Sequence, residues 1–394
     1  MKNTDNMENS ILIKNVLLDG ERRNVLVRDG RFVCLDAAPG AEAARTIEAE
    51  GLAILPAFYN THTHAAMTLM RGYGDDRPLH EWLEEWIWPF EDKLGPEDIR
   101  RGSEIALREM ISTGTVFFND MYFDIDETME LVDAAGIRAA IGVTMMDNHP
   151  KTLKDEKATR IKKWKDSDRI QLTVAPHSVY TAGRETLLDA ARLARENGRK
   201  IHIHLSETVK EVQDCIAQTG MTPVRYLDGL GLLGPDVIAA HCVHVDEEEW
   251  KILARRGVTV AHCPCSNMKL GSGRFPYELA IESGCRITLG TDGTSSNNNL
   301  DLREEMKFAA LLAKVQGDTT LLPAEEVFRW ATRNGAEFYG IDAGRIAVGA
   351  QADAVLLDLS HPKLQPGHNL ISDWVYAADS SVIRNTLCAG RILK

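Results

Sequence analysis

Residues 170–293 carry five short apolar runs, IQLTVAPH (170–177), KIHIHLSE (200–207), VIAAHCVH (237–244), VTVAHCP (258–264) and RITLGTDG (286–293), each with a His, Glu or Asp at or near its C-terminal end. Runs of this length, rich in β-branched residues and separated by longer helical stretches, predict parallel strands in a β/α alternation. Three more precede them: AILPAF (53–58), TVFFND (115–120) and RAAIGVT (138–144). Eight β/α units over about 290 residues predict a TIM (β/α)8 barrel, whose chemistry sits at the C-terminal ends of its strands. The stretch PEDIRRGSEIALREMISTG (96–114) has the start and stop signals of a connecting helix, Pro-Glu-Asp at its head and Gly114 at its end.

Outside this region the pattern changes. ILIKNVLLDG and RNVLVRDGRFVCL read as short alternating strands broken at Asp19-Gly20 and Asp29-Gly30, and ADAVLLDL with a final strand around Val382 to Leu387 repeats the style near the C-terminus. Residues 1–55 and 345–394 are therefore expected to form one small β-sandwich domain, leaving 56–344 as a catalytic barrel.

Composition narrows the class. The chain of 394 residues is 44% hydrophobic and 26% charged, an ordinary globular balance. Its 45 Lys and Arg against 58 Asp and Glu leave a net charge of -13, and no basic run suits a polyanion, which argues against nucleic acid polymers and anionic membranes as partners. The N-terminal MKNTDNMENSILIKN lacks the apolar centre of a secretory signal, and no run reaches the roughly 18 apolar residues of a membrane span, so a cytoplasmic location is expected. Seven scattered cysteines, an odd number, read as free thiols. Met-rich and aromatic stretches serve a homo-oligomer interface or a core equally well.

The polar residues at the strand ends suggest a metal site. His62 and His64 form an H-x-H pair just after the first expected strand, and residues two apart in extended chain share one face. His202 and His204 repeat the spacing in the fifth strand; His204, nearer the C-terminal end, is the expected ligand, with His202 structural and one of the two packed outside the barrel. Asp292 alone would read as a turn or N-cap residue. Together, His62, His64, His204 and Asp292 offer three imidazole nitrogens and one carboxylate, a set that suits one divalent ion, zinc or iron, with a position open for water. Glu207, three residues beyond His204, is placed to shuttle a proton, although it could instead serve the start of the next helix. His241, which otherwise reads as a core residue, could donate to a developing oxyanion. His177, His244 and His262 compete for similar roles, and His177 is the one expected against substrate.

The motifs LPAFYNTHTHAAMTLMRGYGDD, APHS, HLSE, AAHCVH, HCPCSNMKLGSG and LGTDGTSSNNNLDLREEM resemble those of the methylthioadenosine/S-adenosylhomocysteine deaminase group of the amidohydrolase superfamily. The resemblance runs through essentially the whole chain. It implies a mononuclear metal site of His62, His64, His204 and Asp292, with Glu207, His241 and Asp292 catalytic, and hydrolytic removal of the 6-amino group of an adenosine-like nucleoside. It also implies that Glu91 holds the ribose hydroxyls, that His177 contacts purine or ribose, and that Trp82 packs on the base, with His204 also lining the substrate site and Trp86 and Trp88 in the core. Some relatives that take S-adenosylhomocysteine carry arginines after the third strand. Here that stretch, VTMMDNHPKTLKDEKATR (143–160), has Val143 near one such place and no arginine before Arg160; Lys151 or Lys154 would supply only a point charge. The departure favours a smaller or neutral 5′ group. Other superfamily members hydrolyse guanine, pterins or triazines, which is the alternative within enzymes; a barrel without catalysis is the alternative outside them.

Overall fold

The computed structural model describes residues 8–394 apart from 148, 150, 152, 153 and 316. Eight parallel strands follow one another in chain order around a barrel: Phe58–Thr63, Thr115–Tyr122, Arg138–Met145, Ile170–Pro176, Lys200–Leu205, Val237–His241, Thr259–His262 and Arg286–Leu289. Helices between them bury one face each. Pro96–Ser112 buries Ile99, Ala106, Leu107 and Met110, and ends where Gly114 adopts a φ of 92°.

The first and last strands meet through side chains. Thr61 Oγ1 lies 2.7 Å from Thr288 Oγ1 and donates to Leu289 O at 2.9 Å; Asn60 Nδ2 donates to Thr291 Oγ1 at 2.7 Å, and Asn60 Oδ1 accepts the Thr291 N–H at 3.1 Å. One step further on, the Asp292 N–H donates to His62 O at 3.0 Å. Gly290 permits the approach, since a Cβ there would lie 2.7 Å from His62 Cβ.

The expected first strand, 53–58, divides between two sheets. Leu52–Pro56 pairs antiparallel with Ala354–Asp358, and the barrel strand begins only at Phe58. A continuous apolar run reports burial without saying against which sheet, and Pro56, with no N–H to give a ladder, ends the first pairing. His62 consequently sits inside the barrel strand and His64 just past it.

The terminal sheet joins Ser10–Leu18, Glu21–Arg28, Arg31–Cys34, Arg45–Glu48 and Leu52–Pro56 to Ala354–Asp358, Ile383–Cys388 and Arg391–Ile392. Its strands enclose an apolar cluster that includes Ile13, Val16, Val25, Phe32, Ile54 and Leu356, the small sandwich expected from both ends of the chain. Positive φ at Asp19, Gly20, Asp29 and Gly30 makes the two turns that the Asp-Gly pairs foretold. The seven cysteines are free, and no helix among the described residues is long and apolar enough to cross a membrane.

A buried carboxylate locks this sheet to the base of the barrel. Asp353 accepts from Arg138 Nη1 at 2.6 Å, from the Tyr59 hydroxyl, and from Ala389 N–H at 2.7 Å, and its side chain has no solvent exposure. Removing one partner of such a pair strands the other charge, at a cost of about 3–5 kcal/mol. Asp353→Ala should therefore melt well below the parent protein when followed by circular dichroism; an unchanged Tm would refute the clamp.

Candidate active site

Four imidazoles point their Nε2 atoms into the barrel mouth because their Nδ1 atoms are engaged behind them. His64 Nδ1–H donates to Met121 O at 2.6 Å and His204 Nδ1–H to His177 O at 2.8 Å; His241 Nδ1 meets Asn267 Oδ1 at 2.8 Å and His62 Nδ1 meets His202 Nε2 at 2.7 Å. A carbonyl can only accept, so in neutral His64 and His204 the proton is on Nδ1 and the Nε2 lone pair faces inward. Those two Nε2 atoms lie 3.3 Å apart. Asp292 Oδ1 is 3.2 Å from His62 Nε2 and 3.1 Å from His64 Nε2, and buried His62 Nε2 finds no hydrogen-bond partner among the described residues.

Lone pairs and a carboxylate packed this closely repel one another until a positive charge joins them. The electrostatics express the same demand: burial depresses the His62 imidazolium to about 4, while at His64 the neighbouring Asp292 overrides burial and lifts the pKa to about 9. Against its own burial, Asp292 is held well below the usual carboxylate range by the same two rings. Two overlapping groups, His62 with His64 and Asp292 and His62 with His204 and His241, bring donor atoms within 4.8 Å of one another, a geometry that suits a divalent ion.

Backbone strain marks the same loops. Ser206, His241, Cys242 and Asp292 all take positive φ at the ends of their strands, a conformation non-glycine residues adopt at a cost of roughly 1–3 kcal/mol. Asp292 Oδ2 accepts from Ser266 Oγ at 2.6 Å and Ser296 Oγ at 3.1 Å, which fixes the carboxylate plane. Glu207 faces the cluster, its Oε2 3.8 Å from His241 Nε2 and its Oε1 accepting from Ser272 Oγ at 3.2 Å. Thr208, not Glu207, caps the following helix, Val209–Thr219, so the Glu207 carboxylate is free of that duty.

A cleft opens above these groups. One wall is the helical stretch from Leu79 to Glu91, whose middle turn, Trp82–Ile87, is a π-helix. The Trp88 N–H bonds back five residues to Leu83 O, and this wider turn keeps Leu83 and Trp88, five apart, on the cleft side with Trp82 and Glu91. Trp88, read from sequence as core, packs against the apolar cluster of Leu83 and Ile87 and also lines the cleft; Trp86 instead packs against Tyr73 beneath the Arg77 guanidinium. Glu91 is buried, which raises its carboxyl to about 7, and accepts from the Tyr122 hydroxyl at 2.6 Å. His177 lines the cleft with its ring 4.6 Å from His204, and burial lowers its pKa to about 3, leaving it neutral.

Every site residue expected from sequence, including Trp82, reaches this cleft or the donor set at its floor. His202 does not pack outside the barrel. Residues two apart on a strand share one face, so it lies inside, one layer below His204, and backs His62. His244 donates to Ser272 O and His262 pairs with Tyr277 OH, both away from the cleft lining. Lys151 donates to Leu94 O at 2.7 Å, and the side chain of Lys154 lies outside the described residues. Sequence reasoning missed Tyr122, Ser266, Asn267, Ser272 and Glu211; Ser266, Asn267 and Ser272 lie in the motif HCPCSNMKLGSG, and Glu211 is the fourth residue of the capping-box pattern TVKE (208–211).

Fold and site together define a barrel hydrolase built around a His/Asp centre. The chain belongs to the amidohydrolase family, whose sequence model matches residues 53–393. It is 43% identical over 390 residues to the 5′-deoxyadenosine deaminase of Methanothrix thermoacetophila, covering 98% of this chain and 92% of that protein. It is likewise 43% identical over 391 residues to 5-methylthioadenosine/S-adenosylhomocysteine deaminase 1 of Archaeoglobus fulgidus, covering 97% and 93%. The crystal structure of an adenosine deaminase from Xanthomonas campestris with bound zinc matches with a TM-score of 0.92 at 36% identity, over 97% of this chain and 92% of that one.

Elemental analysis can test the donor set without any substrate. His204→Ala should emerge from purification with far less divalent metal than the parent, whereas His262→Gln should keep its metal; equal contents in the two variants would remove His204 from the set.

Proposed function

We propose that the protein hydrolytically deaminates adenosine-like nucleosides with a small, neutral 5′ group: methylthioadenosine, 5′-deoxyadenosine or adenosine, with S-adenosylhomocysteine the poorest of the set. In this reading residues 56–344 are the catalytic domain and 1–55 with 345–394 the sandwich domain. The observation that carries it is the distribution of polarity in the cleft. Glu207, His241 and Asp292 gather at its floor, Glu91 stands with Tyr122 on the wall formed by the helical stretch, and Met67, Leu79, Leu83, Met121, Met146 and Leu270 contribute apolar lining. A base sits over the floor, a ribose presents two hydroxyls to Glu91, whose carboxylate can accept both, and an uncharged 5′ group meets the apolar remainder. Among the described lining residues there is no lysine or arginine to pair an amino-acid carboxylate. The relatives named above, carrying deaminase names at 43% identity, support the same chemistry.

Zinc is the proposed ion, held by His62, His64, His204 and Asp292, and these donors accept iron(II) as well. When bound, such an ion acidifies water from 15.7 to about 7. The chain supplies the remaining proton handling. Burial raises the Glu207 carboxyl above its ordinary value, so it can take a proton from the attacking water and deliver it to purine N1 as oxygen adds to C6. Burial opposes protonation of His241, but Glu207 and Asp292 outweigh it and raise its pKa, so Nε2–H can steady the oxygen as charge builds there. Asp292 takes the second proton from the hydroxyl and passes it to the amino group as the tetrahedral carbon collapses, so that group leaves as ammonia. Trp82 and His177 hold the base and ribose edges, His204 borders the same space, and the helix over the cleft excludes bulk water.

The test compares kcat/KM for adenosine, 5′-deoxyadenosine, methylthioadenosine, S-adenosylhomocysteine, adenine and guanine. Nucleosides with small 5′ groups should lead. Turnover of a free base alone would overturn the substrate class. In the same assay Glu207→Gln should retain its metal yet lose roughly 10²–10⁴-fold in kcat, the span ascribed to a positioned acid–base group; near-parental kcat would remove Glu207 from the proton path.

A further inference from the structure

Glu211 departs from the usual geometry of its own capping motif. Thr208 accepts the Glu211 N–H at 3.1 Å, as an N-cap residue should, and in a capping box the glutamate would return to the N-cap N–H. Here the carboxylate reaches further back: Oε1 accepts the Ser206 N–H at 2.9 Å and Oε2 the Glu207 N–H at 2.7 Å. It thereby straddles the turn in which Ser206 takes a φ of 50°. Other bonds brace the same turn. Ser206 O accepts the His244 N–H at 2.9 Å, His244 Nε2–H donates to Ser272 O at 2.5 Å, and Ser272 Oγ donates to Glu207 Oε1.

We propose that Glu211 is a positioning residue for Glu207, fixing the strained peptide from which the Glu207 carboxylate projects over the donor cluster. A buried carboxylate is a costly way to close a helix, and Glu211 is 2% exposed with no ion-pair partner among the described residues. Its two oxygens are what two successive N–H donors require. A glutamine supplies one acceptor oxygen and turns an amide NH2 toward the second donor, so the turn loses its grip. The inference rests on the Glu207 role proposed above, and a shift of about 1 Å at such a group can cost on the order of 10²-fold in rate.

The matched control is Glu249, equally buried at 2%, which closes an ordinary capping box by accepting the Asp246 N–H at 3.0 Å and which is not among the residues lining the cleft. Glu211→Gln should keep its metal and keep KM within about threefold, while kcat falls 10–100-fold and the solvent deuterium isotope effect on kcat rises, all on whichever nucleoside the parent turns over best. Glu249→Gln should change melting temperature alone. Equal kcat in the two variants overturns the proposal, while an inactive parent overturns the nucleoside reading instead. In that case the crystal structure of Glu211→Gln decides: a Glu207 carboxylate displaced from Ser272 and His241 upholds the positioning role, and one left in place refutes it.

Discussion

The bond from the Asp292 N–H to the His62 carbonyl, 3.0 Å across the joint between the last and first barrel strands, is the contact on which the rest depends. It sets the backbone of one candidate ligand against the backbone of another. The joint holds through buried Asn60, Thr61, Thr288 and Thr291 rather than through a regular ladder, so its register is specified by side chains that fit one partner each. A slip of one residue would turn His62 away from the mouth and point its neighbours inward. The barrel and the candidate metal site are thus one geometric problem with one solution.

Around that joint the protein assigns each imidazole's two nitrogens to different work. The outward Nδ1 is fixed by a carbonyl, an asparagine or another histidine, and the inward Nε2 is left for a ligand. These anchors come from other strands or from the segments that follow them, so the orientation of each ring is a property of the closed barrel. The strained φ values at Ser206, His241 and Asp292 belong to the same economy: the strands end abruptly so that their last side chains face the axis.

How much of this was legible in the sequence follows from where the information lies. Strand runs ending in His, Glu or Asp were readable because period and composition are local, and so were the Asp-Gly turns and the helix from Pro96 to Ser112. The site residues were gathered by their place at strand ends and by motif. What escaped was relational. The run 53–58 looked like one strand because burial on either sheet leaves the same apolar signature. Tyr122, Ser266 and Asn267 act on partners 26 to 31 positions away, and even the motif that holds Ser266 and Asn267 does not say which residues they meet. Trp88, expected in the core, packs there and also borders the cleft, because a π-turn carries Leu83 and Trp88, five apart, to the same side.

The joint also has a consequence for how the chain comes into being. Asn60 and Thr291 are separated by 231 positions, so His62 and His64 leave the ribosome long before the carboxylate that completes their cluster. A nascent chain carries two imidazoles in search of an anchor, and the terminal sheet still awaits the strands from Ala354 onward. The Asp292 carboxylate that lies 3.2 Å from His62 and 3.1 Å from His64 follows only with the last barrel strand. The cluster of His62, His64 and Asp292 is therefore complete only once nearly three quarters of the chain has been made.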